Sequence, residues 1–393
     1  MKKIKICTAI LIAVLQFSCK ETKKENPVPE EANQETSVDS AQTFLEAKNF
    51  DAIIDNKETH LYWIENNGLK AAFTNYGGRI VGLWIKDKKG KLTDIVIGMN
   101  SISGFQKSTE PYFGATIGRV GNRIAKGKFT LEGKQYNIPL NNNGNTLHGG
   151  IKGFQDVVWD AEKINNNVLV FSYTSPDLEQ GFPGTLKVKV IYTLTADKGL
   201  KMEYEASTDK TTVVNLTNHA FFNLNGEGSG TILNHQMQIF ANQFTPVDSG
   251  LIPTGELKNV AQTPFDFTTA HTIGERIETE NDQLKFGKGY DHNYVLNDIK
   301  SDKMIHAASV LGDKSGIVMD VYTLEPGLQF YSGNFMQSKN TLKSGCKDDF
   351  RTSFALETQH FPDAPNHSNF ASITLKPGKK YHTVSEYRFS VKK

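Results

Sequence analysis

The chain has 393 residues, and its 44 lysines and arginines nearly cancel its 43 aspartates and glutamates. That balance argues against a nucleic-acid binder, which needs a clustered basic surface. The length allows one large all-β unit or two domains, and three cysteines are too few for a disulfide framework.

Met1-Lys2-Lys3-Ile4-Lys5 is a basic start, followed by an apolar run of 12 residues from Ile6 to Phe17. Such a run is too short to span a bilayer and reads as a signal. Leu15-Gln16-Phe17-Ser18-Cys19 resembles a bacterial lipobox. It departs from the pattern in that Leu15 is one position further from the cysteine, and Gln16 and Phe17 are unusual there. The expectation is a lipoprotein signal peptide over 1–18, cleavage before Cys19 and a lipid anchor on its thiol. Residues 19–44 hold few large apolar side chains and read as a flexible tether that cannot repay its ordering entropy. An exported lipoprotein of the periplasm or outer membrane follows, held to the membrane by that lipid alone. With Cys7 in the signal and Cys19 as anchor, Cys346 is left without an intrachain partner.

A short helix is expected within 41–49, after Ser40. Beyond it strand signals dominate. His60–Glu65 and Leu69–Thr74 flank an Asn66-Asn67-Gly68 turn, a hairpin pattern. Ile80–Ile85 and Asp94–Ile97 are further runs. Leu186, Val188, Val190, Tyr192 and Leu194 alternate with polar positions, a period of two. Asp197-Lys198-Gly199 turns the chain into Leu200, Met202, Tyr204 and Ala206. Residues 350–357 read as a strand ending at Glu357. No repeat or interior linker stands out, so 45–393 is expected to be one all-β domain, a large antiparallel β-sandwich with few short helices.

Polar stretches interrupt these strands: Asn122-Arg123 beside a glycine-rich bend, His148 before Gly149-Gly150, and Asn218-His219 after an apolar strand. Asp291-His292 lies between aromatics, Gln329 precedes Phe330-Tyr331, and Glu357 follows an apolar run. No His-Glu-x-x-His, Gly-x-Ser-x-Gly or phosphate loop occurs, which argues against local metal hydrolysis, an α/β-hydrolase and nucleotide binding. What remains is proton transfer among His, Glu, Asp and Arg set in amides and aromatics, a mixture suited to a neutral polyol such as a sugar.

The chain resembles the aldose 1-epimerase (galactose mutarotase) family over nearly all of 50–392. The resemblance is carried in order by Asn75-Tyr76-Gly77-Gly78, Gly118-Arg119-Val120-Gly121-Asn122-Arg123-Ile124, Leu147-His148-Gly149-Gly150, Asn215-Leu216-Thr217-Asn218-His219, Thr263-Pro264-Phe265-Asp266, Tyr290-Asp291-His292-Asn293, Pro326-Gly327-Leu328-Gln329-Phe330-Tyr331 and Leu356-Glu357-Thr358-Gln359. It implies a galactose mutarotase-like supersandwich with an open cleft, acting as a monomer. It implies Glu357 as general base and His219 as general acid. His148, Asp291, Arg123, Asn122 and Gln329 would contact the sugar. The implied substrate is a free aldohexose, glucose or galactose. The implied chemistry requires no metal or other cofactor and leaves room for a structural cation such as calcium. A hexose-6-phosphate 1-epimerase and a non-catalytic surface sugar-binding lipoprotein are the alternatives. The first would want an Arg/Lys cluster beyond Arg119 and Arg123, and the second would not need Glu357 or His219.

Overall fold

The computed structural model describes residues 45–299 and 303–393. The expected signal peptide, Cys19 and the tether lie outside them, as do residues 41–44 of the expected helix. What remains of that helix is a single 3-10 turn at Ala47–Asn49.

The alternating strands are built as their side chains dictate. Leu186–Leu194 and Gly199–Thr208 pair antiparallel across the Asp197-Lys198-Gly199 turn, with Val190 opposite Tyr204. They lie within a nine-stranded sheet in which Gly199–Thr208 also pairs with the C-terminal strand Tyr381–Val391. A seven-stranded sheet runs Lys258–Asn259, Ala241–Phe244, Asp291–Leu296, Gly327–Tyr331, Phe354–Gln359, Phe221–Phe222, Val96–Ile97. The hairpin expected at 60–74 forms, Leu61–Asn66 against Leu69–Thr74, within a four-stranded sheet. All these ladders are antiparallel. The described α-helices are two short ones, Ile102–Lys107 and Asp282–Gly287.

One core joins the two large sheets. Val190, Tyr192, Met202, Tyr204, Met319, Val321, Tyr387 and Phe389 from the first meet Phe222, Tyr294, Leu328, Phe330, Phe354 and Leu356 from the second. Successive strand residues point to opposite faces, so burying one row places the alternate row on the other side. In the seven-stranded sheet that alternate row is Asp291, Gln329, Tyr331 and Glu357. The core-facing register therefore decides which polar groups reach the opposite face, and a slip of one residue would bury them in the core.

Glu357 was expected at a strand end and is instead internal. The strand is Phe354–Gln359, and 350–353 form a turn. Residues 350–353, Phe-Arg-Thr-Ser, bend the chain before the strand begins, and Thr352 Oγ1 donates to the Asp349 carbonyl at 2.7 Å. Within the strand Glu357 is paired opposite Gln329 on one side, while on the other the ladder to Phe221–Phe222 covers only Phe354 and Ala355.

Candidate active site

Four segments meet over the free face of the seven-stranded sheet. Asp291, Tyr331 and Glu357 rise from it into a cavity of about 370 Å³, within the range of small-molecule sites. Asn122, Arg123 and His148 come from two short strands, Arg123–Ile124 and Thr146–Leu147, paired with Leu147 opposite Arg123. His219 follows the Thr217–Asn218 bridge to Thr116–Ile117. Glu110 and Tyr112 enter from a loop, and Phe335 and Leu251 complete the lining.

His219 Nε2 lies 3.5 Å from Glu357 Oε1, with both side chains almost fully buried. Neither His219 Nδ1 nor Glu357 Oε2 has a partner. Burial pulls His219 down to about 3. Burial also raises Glu357 well above the usual carboxylate range; Asp291 adds to that rise and Arg123 opposes it. Both shifts disfavour charge: the imidazole is held neutral and the carboxyl is pushed toward its protonated form. The Tyr112 ring stacks on His219 at 5.6 Å and meets His148 edge-on at 4.5 Å, which locks both imidazoles.

Asn122 and His148 form a second unit. Both are non-glycine residues in left-handed backbone, φ 58° and 51°, a region that Asn and His enter more readily than most side chains. The His148 N–H donates to the Asn122 carbonyl at 3.0 Å, and the Asn122 N–H donates to His148 Nδ1 at 3.1 Å. With Nδ1 accepting, the ring proton belongs on Nε2, and His148 is a donor toward the cavity. Gly149 next to it is obligatory: a Cβ there would lie 2.0 Å from the Gly118 carbonyl oxygen. Gly114 has the same role behind Tyr112, since a Cβ would lie 1.9 Å from the Ile80 oxygen.

Arg123 reaches Asp291 at 3.6 Å, both buried. Gln329 Nε2 donates to the other Asp291 oxygen at 2.7 Å, so Gln329 stands behind Asp291 rather than in the cavity lining. Arg119, from the same motif as Arg123, is drawn away to the carbonyls of Pro183 and Gly184 at 2.9 and 2.7 Å. His292 points into the core against Phe265 at 4.6 Å. The structure thus brings together six of the seven sugar-site candidates at the cavity wall and seats the seventh one layer back.

His148, His219 and Glu357 have ligand atoms within 4.8 Å of one another. As a metal site this set is incomplete, because a neutral His148 with its proton on Nε2 offers the cavity a donor and no lone pair.

Glu110, Tyr112 and Phe335 carried no sequence signal. Tyr112 lies in an apolar Pro-Tyr-Phe-Gly run, Glu110 is a lone loop acid, and Phe335 is one aromatic among many. Only the tertiary placement of their loops reveals them.

Comparison with known proteins is consistent over the whole domain. A family model described as Aldose 1-epimerase matches residues 60–388. The galactose mutarotase of Bos taurus is 42% identical over 330 residues, 84% of this chain and 94% of its own length. The aldose 1-epimerase of Escherichia coli (strain K12) is 36% identical over 338 residues, 85% of this chain and 96% of its own length. Among solved structures, an aldose epimerase homologue from C. elegans has a TM-score of 0.78 at 30% identity, covering 85% of this chain and 100% of its own. A galactose 1-epimerase from Lactobacillus acidophilus NCFM has a TM-score of 0.76 at 26% identity, covering 87% and 97%.

Proposed function

The chain belongs to the aldose 1-epimerase family, and from that premise we propose how its own residues carry the reaction and on which substrates. The protein is an isomerase that interconverts the α and β anomers of aldoses. In our reading Glu357, as carboxylate, removes the proton from the C1 hydroxyl of a cyclic aldose. His219, as imidazolium, delivers a proton to the ring oxygen. The C1–O5 bond breaks and C1 becomes the free aldehyde. Rotation about C1–C2 presents the other carbonyl face. Ring closure then runs the two transfers in reverse, so protons and electrons balance over the cycle.

One observation carries this reading. The hydroxyl and ring oxygens are bonded to the same carbon, so a base and an acid acting on them must be neighbours, and His219 and Glu357 are 3.5 Å apart. Burial of both groups raises the energy of the ionised working pair, carboxylate plus imidazolium, and ring opening relieves that cost by leaving the proton on Glu357 and none on His219.

The remaining side chains support binding. His148 donates from Nε2, the Arg123–Asp291 pair offers donors and acceptors to hydroxyls, and Gln329 holds Asp291 in place. No step routes through a metal or other cofactor. We propose that the protein acts as a monomer. The preferred substrates are free hexoses such as galactose and glucose. Arg123 is the single lysine or arginine lining the cavity among the described residues, against the carboxylates of Glu110, Asp291 and Glu357. A phosphate dianion would meet one cation instead of a cluster, which sets the 6-phosphate branch aside. The presence of both Glu357 and His219 likewise argues against a purely binding protein. At the cell level we propose a lipoprotein tethered through Cys19.

Polarimetry tests this directly. Purified protein should accelerate mutarotation of galactose and glucose, and a higher kcat/KM on glucose 6-phosphate than on glucose would overturn the substrate assignment.

A further inference from the structure

We propose that Glu110 is a specificity-determining residue that gives the pocket a net negative charge, favouring cationic aldoses such as 2-amino-2-deoxyhexoses and disfavouring anionic ones such as uronates. The inference rests on the reading of this cavity as the aldose site, and adds a residue and a substrate class that ring opening does not require.

The charges lining the cavity cancel except for one. Glu357 and His219, as the carboxylate and imidazolium of the proposed step, carry no net charge together. Arg123 and Asp291 form an ion pair at 3.6 Å. His148 is held neutral, its pKa pushed well below the usual value by burial first, then by His219 and Arg123. Burial raises the Tyr112 and Tyr331 phenols far out of the physiological range. Glu110 remains. Its Oε1 accepts the Tyr112 N–H at 3.3 Å, and among the described residues no cation pairs with it. Arg79 lies behind it, committed to the carbonyls of Phe113 and Gln155 at 2.9 and 2.7 Å. Burial pushes the Glu110 carboxyl up to about 7; Asp348 and Asp291 add to the rise, and the Tyr112 N–H and Arg79 oppose it.

The loop around Glu110 is built rather than loose. Ser108 Oγ bonds the Glu110 carbonyl at 2.7 Å and accepts its N–H at 3.2 Å. Thr109 N–H donates to Asn340 Oδ1 at 2.9 Å, and Asn340 Nδ2 donates to Thr109 Oγ1 at 3.0 Å. Asn340 is fixed in turn by Asp348, at 2.6 and 2.7 Å. A carboxylate held in place on the wall of a sugar pocket, with no protein cation beside it, has the ligand as its natural partner.

The test measures galacturonate and galactosamine as competitive inhibitors of galactose mutarotation, above neutral pH, with Ki for the amine corrected to its protonated fraction. Relative to the KM for galactose, Glu110→Gln should tighten galacturonate and weaken galactosamine, each by about tenfold, the scale of one charge across a partly solvated cleft. In the wild type, added salt should narrow the gap between the two inhibitors, a readout that needs no variant. If both ratios in a folded Glu110→Gln stay within about twofold of wild type, or move in the same direction, or if salt leaves the wild-type gap unchanged, the proposal is overturned. Galactose turnover in Glu357→Gln serves as the separate control: its persistence would defeat the reading of the site, whereas the inhibitor ratios report on Glu110 alone.

Discussion

Replacing Arg123 with methionine keeps the apolar stem of the side chain and removes its charge. The guanidinium is 3.6 Å from Asp291, with side chains 7% and 9% exposed. At an effective dielectric of about 20, that separation corresponds to an attraction of roughly 4–5 kcal/mol. Removing one member of a buried pair costs about 3–5 kcal/mol, because the other is left uncompensated. Asp291 keeps the Gln329 amide at 2.7 Å, which places the expected loss at the lower end, about 3 kcal/mol of unfolding free energy. Arg123 also opposes the upward push on Glu357. Without it Glu357 holds its proton to still higher pH, and the alkaline limb of kcat/KM should move upward. KM should rise as well, because the pair contacts substrate in ground and transition states alike. Urea denaturation and a pH–rate profile by polarimetry give the answers. A loss below about 1 kcal/mol together with an unmoved alkaline limb would show that the pair neither secures Asp291 nor tunes Glu357.

Three further outcomes are expected. His360 Nδ1 is 2.6 Å from the buried Glu325; burial lowers the His360 pKa, but Glu325 outweighs it and the net shift is upward. A raised pKa gives stability that is complete below the unfolded value of about 6.5 and lost as pH rises through the folded one, so His360→Gln should cost about 1–3 kcal/mol near pH 6 and less near pH 9, read by denaturation at both. Cys19→Ser should move the protein from the membrane to the soluble fraction of its native cell; a wild type already soluble would remove the anchor. Dialysis against a chelator should leave mutarotation intact, and turnover restored only by added metal, with the fold preserved, would require a metal in the cycle.

The strands whose one face is buried were readable in advance, as at Leu186–Leu194, because alternation and burial have the same period. Glu357 was readable as a candidate because an acid inside an apolar run needs a reason to be there; Asp291 and Gln329 stood out as polar groups among aromatics, and their sugar-contact roles came from the family resemblance. Their meeting was not readable from spacing: Asp291 and Glu357 come from strands separated by Gly327–Tyr331 in the sheet order, and pairing over such distances is set by the whole topology. Arg119 and Arg123 look equivalent in sequence and differ only in which side of the bend they leave. The same holds for Asp291 and His292, where strand alternation sends one to the cavity and the other to the core. Glu110 and Tyr112 were silent because a loop has no period to violate.

A double-mutant cycle on Glu357 and His219, followed by polarimetry on galactose, tests the central claim that the two act as one proton-transfer unit. Glu357→Gln keeps shape but cannot accept the proton, and His219→Asn keeps polarity but cannot supply one at neutral pH. Each single variant should lower kcat by at least about 10²–10³-fold with a smaller change in KM, the scale of acid–base terms, and the double variant should lose far less than the product of the two. Near-normal kcat in folded single variants, or losses that multiply fully, would contradict it.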